Sequence, residues 1–461
     1  MSYESIQVGI LSNRTIKFVL NGDFTSTNGS TYSGKQKAKI KDGEVVFLDE
    51  HFDELIFQPT GENASFDLID VVIGINFHWE RMENQRFKGS LKFIIEGKKL
   101  TAINIVNVED YLTSVISSEM SATASEELLK AHAVISRSWL LCPIQEQEIR
   151  SKEQEVRGKE QKDSGISLPT SEYQLPSSDS KLQTPNFIKK WYERDAHTNF
   201  DVCADDHCQR YQGITKASTR AVEAAIEATR GEVLIFDNKI CDARFSKSCG
   251  GITEAFENCW APVHHPYLTP VIDNVDAPVG FDIELTKEDN AIEWIRKSPT
   301  AFCNTTDKNI LSQVLNNYDQ ETTDFFRWKV EYSQQEIAEL IARKSGIDFG
   351  EIIDLIPIQR GESGRIIELK IIGTKETITV GKELEIRKWL SNSHLYSSAF
   401  VADRFDLVDH IPQRFTLYGA GWGHGVGLCQ IGAAVMGEKG YKYKEILQHY
   451  FRGAEFKKIY P

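Results

Sequence analysis

Long apolar runs are missing from this chain. No segment approaches the length needed to cross a bilayer, so no membrane span is expected. Met1 to Leu20 lacks a basic start, an unbroken apolar stretch and a small-residue cleavage site, and does not read as a signal peptide. Either the protein stays in the cytoplasm or an export signal is not part of this sequence; the residues leave both open. Cysteine is sparse: eight in 461 residues are too few for a disulfide scaffold. Positive charge is in deficit as well. Against 67 Asp and Glu stand 53 Lys and Arg, and the formal charge of −14 argues against a nucleic-acid partner.

What is present fits a globular protein of two or three lobes. Ile6, Val8 and Ile10 alternate with other residues, and Ile16, Phe18 and Leu20 do the same, which is a strand pattern. Residues 1–101 form an N-terminal β-rich region on this reading, with Gly, Asn and Asp turns between apolar runs. A core segment follows at 102–290. Tyr111, Leu112, Val115 and Ile116 stand at helical spacing between Glu109 and Glu119, and a second helix is predicted from Ser125 to Leu141. Residues 145–184 then change to dense charge followed by Ser and Pro, which predicts a mobile surface insertion. A helix from Ser218 to Thr229 and a strand from Glu232 to Phe236 come next. Residues 291–345 read as a mostly helical lobe. Residues 346–461 return to strands and carry a glycine-rich loop, Gly419 to Gly427, before a last helical stretch. The fold class is α+β: a strand-rich core with a two-helix catalytic segment and a helical second lobe, the two chain ends sharing one core.

Some residues suggest chemistry. His197, Cys203 and Cys208 form an H-x5-C-x4-C run beside His207. Imidazole and thiolates are ligands that zinc prefers, and three of them leave a fourth position open. A local disulfide is the simple alternative. Lys130 and Arg137 are seven apart on one predicted helix and so share a face. Gly250 and Gly251, after Ser246, and Gly423 to Gly425 around His424 allow close backbone approach, with Gln430 just beyond. Tight turn packing without a ligand explains the same glycines equally well. The glycine-rich loop lacks the Lys-Ser/Thr ending of a phosphate loop.

Several stretches in order resemble one family. Glu109-Asp110-Tyr111-Leu112, Glu119-Met120, and Leu128-Leu129-Lys130-Ala131-His132-Ala133-Val134 with Arg137 are similar to the SpoIID/LytB (stage II sporulation protein D) signature. So are Gly421-Trp422-Gly423-His424-Gly425-Val426-Gly427 and the stretch after it, with Asp201-Val202-Cys203, His207-Cys208-Gln209 and Phe245 to Gly251 between. The resemblance implies a peptidoglycan lytic transglycosylase with Glu119 as catalytic acid and base. It implies zinc on His197, Cys203 and Cys208 near the active site. It also places Lys130 and Arg137 in the site as substrate contacts. His207 abuts Cys208, which makes joint ligation awkward, and is assigned a supporting or substrate role; Ser246, Gly250, Gly251, His424 and Gln430 are read from their residue types as walls of a glycan groove. His132 stands where Gln is usual, and Cys429 where a small hydroxyl or similar residue is common.

A single carboxyl suffices for that reaction, and its burial would favour the protonated form that an acid needs. The expected partners are glycan strands, with a cell-wall amidase as a further candidate. Two other readings stay open. Relatives of the LytB type act as amidase enhancers, which bind glycan without cutting it. A zinc-dependent hydrolase would use metal-bound water and leave new reducing ends, where the lytic route leaves anhydro ends.

Overall fold

The computed structural model describes residues 5–73, 81–121, 124–164, 181–192, 197–205, 208–215, 218–314 and 323–461. The N-terminal strands build one large sheet around a shared strand, Thr15–Ser26. Its residues 18–21 pair with Ser65–Ile73, and residues 24–26 pair with Leu55–Pro59. The register shifts between Leu20 and Phe24, which lets one strand serve two partners. Alternating phenylalanines fill the inner face: Phe18, Phe24, Phe57, Phe66, Phe87 and Phe93 are all buried. Phe18 meets Phe57 and Phe93 at ring-centroid distances of 5.4 and 5.1 Å.

From this sheet the strand Lys99–Asn107 leads directly into helix α1, Val108–Glu119. Asn107 caps it by accepting from the Glu109 amide, and Glu109 and Asp110 place acidic groups in the first turn. Helix α2 spans Glu126–Ser164 and helix α3 spans Arg220–Ala228. Between Leu128 and Leu141 nearly every residue of α2 is buried, so its first half is a core helix enclosed on all sides. The helix does not stop at Leu141 as the sequence suggests; it runs through Pro143, which has no N–H to contribute to the helical hydrogen-bond ladder. Of the expected insertion at 145–184, residues 165–180 lie outside the described residues.

The second half of the chain adds two further sheets. Ile352–Arg360, Ile366–Gly373 and Thr377–Gly381 form consecutive antiparallel neighbours, extended by Phe187–Lys190 and Lys181–Thr184. Arg327–Ser333 pairs with Ile411–Ala420, which also pairs with Phe400–Val408. The 291–345 stretch therefore holds a strand as well as helices. Glu455–Lys458 lies antiparallel to Glu232–Phe236. Ile6 and Ala454 belong to the same contiguous core, so both ends are packed into it. The molecule is a mixed α+β protein.

Candidate active site and metal-ligand cluster

Glu119 is the last residue of α1 and is half-buried. Its carboxylate makes no hydrogen bond or ion pair to the described residues. The chain just beyond is fixed: Ser121 donates its amide to the Gln313 carbonyl at 2.9 Å, and the Ser125 amide donates to the Gln313 side chain at 3.0 Å. Lys247 donates to the Val314 carbonyl at 2.5 Å, bringing an ammonium group to the same helix end. Sequence reading did not single out Lys247, because a lysine between two serines carries no spacing signal.

Of the loop that begins at His197, residues 209–212 run along α1 toward Glu119. Gln209 accepts from the Tyr111 hydroxyl at 3.3 Å, and the Tyr211 ring stacks on the Tyr111 ring at 5.0 Å. The Gln212 amide donates to Ser114 Oγ at 3.1 Å, and its side-chain carbonyl accepts from Ser118 Oγ at 3.4 Å. Positions 111, 114 and 118 lie on one face of α1, so the loop follows that face turn by turn.

The same loop brings His197, Cys203 and Cys208 together, with their donor atoms within 4.8 Å of one another. Cys208 Sγ lies 3.4 Å from His197 Nε2. Sulfur and nitrogen at zinc-bond lengths of about 2.3 and 2.0 Å in a tetrahedron would be about 3.5 Å apart. The two cysteines are not joined in a disulfide. The donor set and its spacing therefore fit zinc. Val202–Cys203 pairs with the first strand, Ser5–Asn13, and Phe200 occupies the space over Gly9, where a Cβ would lie 2.5 Å from its ring. His207 lies outside the described residues.

The other expected contacts are placed differently. Arg137 is fully buried and does not face a ligand: its Nε and Nη2 donate to both Glu109 oxygens at 3.0 and 2.6 Å, and Nη1 donates to the Glu232 carbonyl at 2.9 Å. Lys130 is held by carboxylates of its own helix, Glu126 at 2.5 Å and Glu127 at 3.5 Å. Gly250 and Gly251 have φ of 81° and 110°, and their open sides face this chain itself. A Cβ on Gly250 would lie 2.9 Å from the Gly421 nitrogen, and one on Gly251 would lie 2.7 Å from the Trp294 ring. Here tight turn packing accounts for the glycines. Ser246 is buried, and its hydroxyl has no hydrogen-bond partner among the described residues. Gln430 is buried against His132, nitrogen to nitrogen at 3.1 Å. His424 accepts from the Val426 amide at 3.0 Å and packs edge-on to Trp260; burial, then Arg244, keeps its imidazole below the ordinary histidine range.

Comparisons with known proteins follow this division of the chain. Residues 96–236 match the family described as Stage II sporulation protein (SpoIID), and residues 254–427 match a domain of unknown function (DUF8618). An uncharacterised protein of Brachyspira hyodysenteriae is 26% identical over 80% of this chain and 72% of its own length. The stage II sporulation protein D of Bacillus amyloliquefaciens is 23% identical over 77% of this chain and 75% of its own length. The amidase enhancer of Bacillus subtilis is 23% identical over half of this chain, but only 31% of that relative is covered. Through the segment that carries α1, the start of α2 and the His197–Cys208 cluster, the chain belongs to the SpoIID/LytB family.

Proposed function

We propose that this protein is a peptidoglycan lytic transglycosylase with Glu119 as its only acid and base. Family membership and relatives named for sporulation and for amidase enhancement support a role at the bacterial cell wall. The observation that carries the enzymatic reading is the half-buried Glu119 carboxylate at the end of α1, which has no partner among the described residues. A carboxylate tied into an ion pair is held as the anion; one without a partner is free to alternate between acid and base. The protonated group gives its proton to the oxygen bridging N-acetylmuramic acid and N-acetylglucosamine as the C1–O bond breaks. The resulting carboxylate takes the proton of the muramic 6-hydroxyl, whose oxygen closes on C1 as a 1,6-anhydro ring. No water and no second carboxylate are consumed, unlike hydrolysis by a carboxyl pair.

His197, Cys203 and Cys208 would hold zinc, which would clamp the loop and offer a Lewis-acidic position. The loop in turn fixes the α1 face that ends at Glu119. Lys247 and the Trp260–His424 pair are the side chains we assign to the surroundings of the glycan.

Mass spectrometry of the fragments released from purified glycan strands tests the reading. The wild-type protein should leave anhydro ends, and Glu119→Gln should lower turnover by ~10²–10⁴-fold. Its melting temperature should not change, because no described contact is lost. An equally active Glu119→Gln protein would end the assignment, and new reducing ends would point to metal-bound water instead. The amidase-enhancer reading rests on the Bacillus subtilis relative. It would prevail if neither protein cut glycan while both stimulated a cell-wall amidase.

A further inference from the structure

A second group of ligand-type side chains is built from other residues. Cys249, Asp273, Cys303 and Cys429 each present one donor atom, all four atoms lie within 4.8 Å of one another, and all four residues are buried. They arrive from four parts of the chain. Cys249 follows the strand Phe245–Ser246, and Asp273 follows the bridge between Ile252 and Ile272. Cys303 lies between the helices Glu288–Arg296 and Lys308–Val314, and Cys429 ends the strand Leu428–Cys429.

Four such groups in an apolar interior are costly unless each finds a partner. The distances indicate which partner. Cys249 and Cys303 have their sulfurs 3.7 Å apart. A disulfide would need ~2.05 Å, whereas two sulfurs ~2.3 Å from one tetrahedral ion lie about 3.8 Å apart. Backbone amides also point at the sulfurs: Cys249 N–H donates to Cys429 Sγ at 3.3 Å, and Gly251 N–H donates to Cys249 Sγ at 3.4 Å. Such donors favour thiolate over thiol. Asp273 is fixed through both oxygens, one accepting from the Cys303 amide at 2.8 Å and the other from the Tyr450 hydroxyl at 2.6 Å. Each oxygen keeps a lone pair for a further bond. Gly432 leaves this arrangement its room, since a Cβ there would lie 2.4 Å from Asp273 Oδ1 and 2.3 Å from the Tyr450 oxygen. Arg327 donates to the Gly250 carbonyl at 3.1 Å, which puts a guanidinium one residue from Cys249 to offset negative charge.

We propose that Cys249, Asp273, Cys303 and Cys429 hold a zinc ion in a closed, four-coordinate structural site. The ion joins two parts of the chain: Cys249 and Cys429 flank the segment 254–427, while Asp273 and Cys303 lie within it. Thiol protons leave as the metal binds, and the binding energy becomes folding energy. The site is independent of Glu119, so its failure would leave the glycan-cleaving reading untouched.

The test removes the first cluster. A Cys203→Ser/Cys208→Ser variant of the full chain, purified without chelator, is expected to retain one zinc per chain by plasma mass spectrometry. X-ray absorption at the zinc edge should show three sulfur neighbours and an oxygen. Adding Cys303→Ser should release that ion and lower the unfolding midpoint. Should the double variant fail to fold, the wild-type protein answers directly: its zinc should average more than two sulfur neighbours, the number the first cluster alone supplies. A zinc-free double variant that folds, wild-type zinc with only two sulfurs, or a Cys249–Cys303 disulfide in alkylated, unfolded protein would each overturn the proposal.

Discussion

The Glu109 carboxylate accepts from four donors: Arg137 Nε and Nη2, the Gly231 amide at 3.3 Å and the Tyr460 hydroxyl at 2.6 Å. One side chain thereby ties α1 to α2, to the turn before Glu232–Phe236 and to the last residues of the chain. Removing one member of a buried pair leaves the other charged and without compensation, at a cost of about 3–5 kcal/mol. Arg137→Ala should therefore lower the urea midpoint sharply, and Arg137→Lys should recover only part of it, because lysine cannot bridge both oxygens. Lys130→Ala should cost far less, as its shorter ion pair is to Glu126, an exposed carboxylate of the same helix. If Arg137→Ala instead left the midpoint unchanged and weakened only glycan binding, the residue would be a ligand contact after all.

Two chain segments, Ser248–Gly251 and Ala420–Gly423, meet backbone to backbone through the Ser248–Trp422 bridge. Gly251 combines a left-handed φ with the buried Trp294 ring 2.7 Å from where a Cβ would sit. Gly251→Ala should cost more than the ~1 kcal/mol of an ordinary glycine exchange, and chemical denaturation of the two proteins measures it. An unchanged midpoint would mean that Trp294 yields freely. At this scale the sequence is informative wherever the signal is local. The spacing of Tyr111, Leu112, Val115 and Ile116 placed α1, and the run from His197 to Cys208 placed three ligand-type groups that do converge. Where the deciding partner is distant, the reading went astray. Arg137 reads in the sequence as a substrate contact, because nothing in the spacing points to Glu109, 28 residues upstream in another helix, as its partner. The extent of α2 was missed because Pro143 and the charged residues after it suggest an end. Cys249 and Cys429 are 180 residues apart in the chain and share no spacing that a motif could carry.

Both ends of the chain pack into one core, so conditions that charge a buried group there act on the whole fold. Histidines are the groups most exposed to this. Burial holds His132, His394, His424 and His449 below the ordinary range, and His265 with them. His132 is the clearest case: fully buried, edge-on to Phe245 at 4.9 Å and beside Gln430, with its imidazole pushed down to about 3 by burial first and Lys247 second. Above pH 6.5 it is neutral in both states, and its neutral form contributes fully to stability. Between that pH and about 3 the unfolded chain binds a proton that the folded chain refuses, so stability falls as pH falls. The slope from one such group is about 1.4 kcal/mol per pH unit. A glutamine at this position cannot take up that proton. His132→Gln should therefore show a shallower loss of stability on acidification, whatever its midpoint at pH 7. Urea unfolding at pH 7, 6 and 5 measures both slopes, and the gap between the two proteins should shift in favour of the variant as the pH drops. Parallel slopes would show that His132 is protonated equally in the folded and unfolded chain, and that the acid sensitivity of the fold resides in other groups.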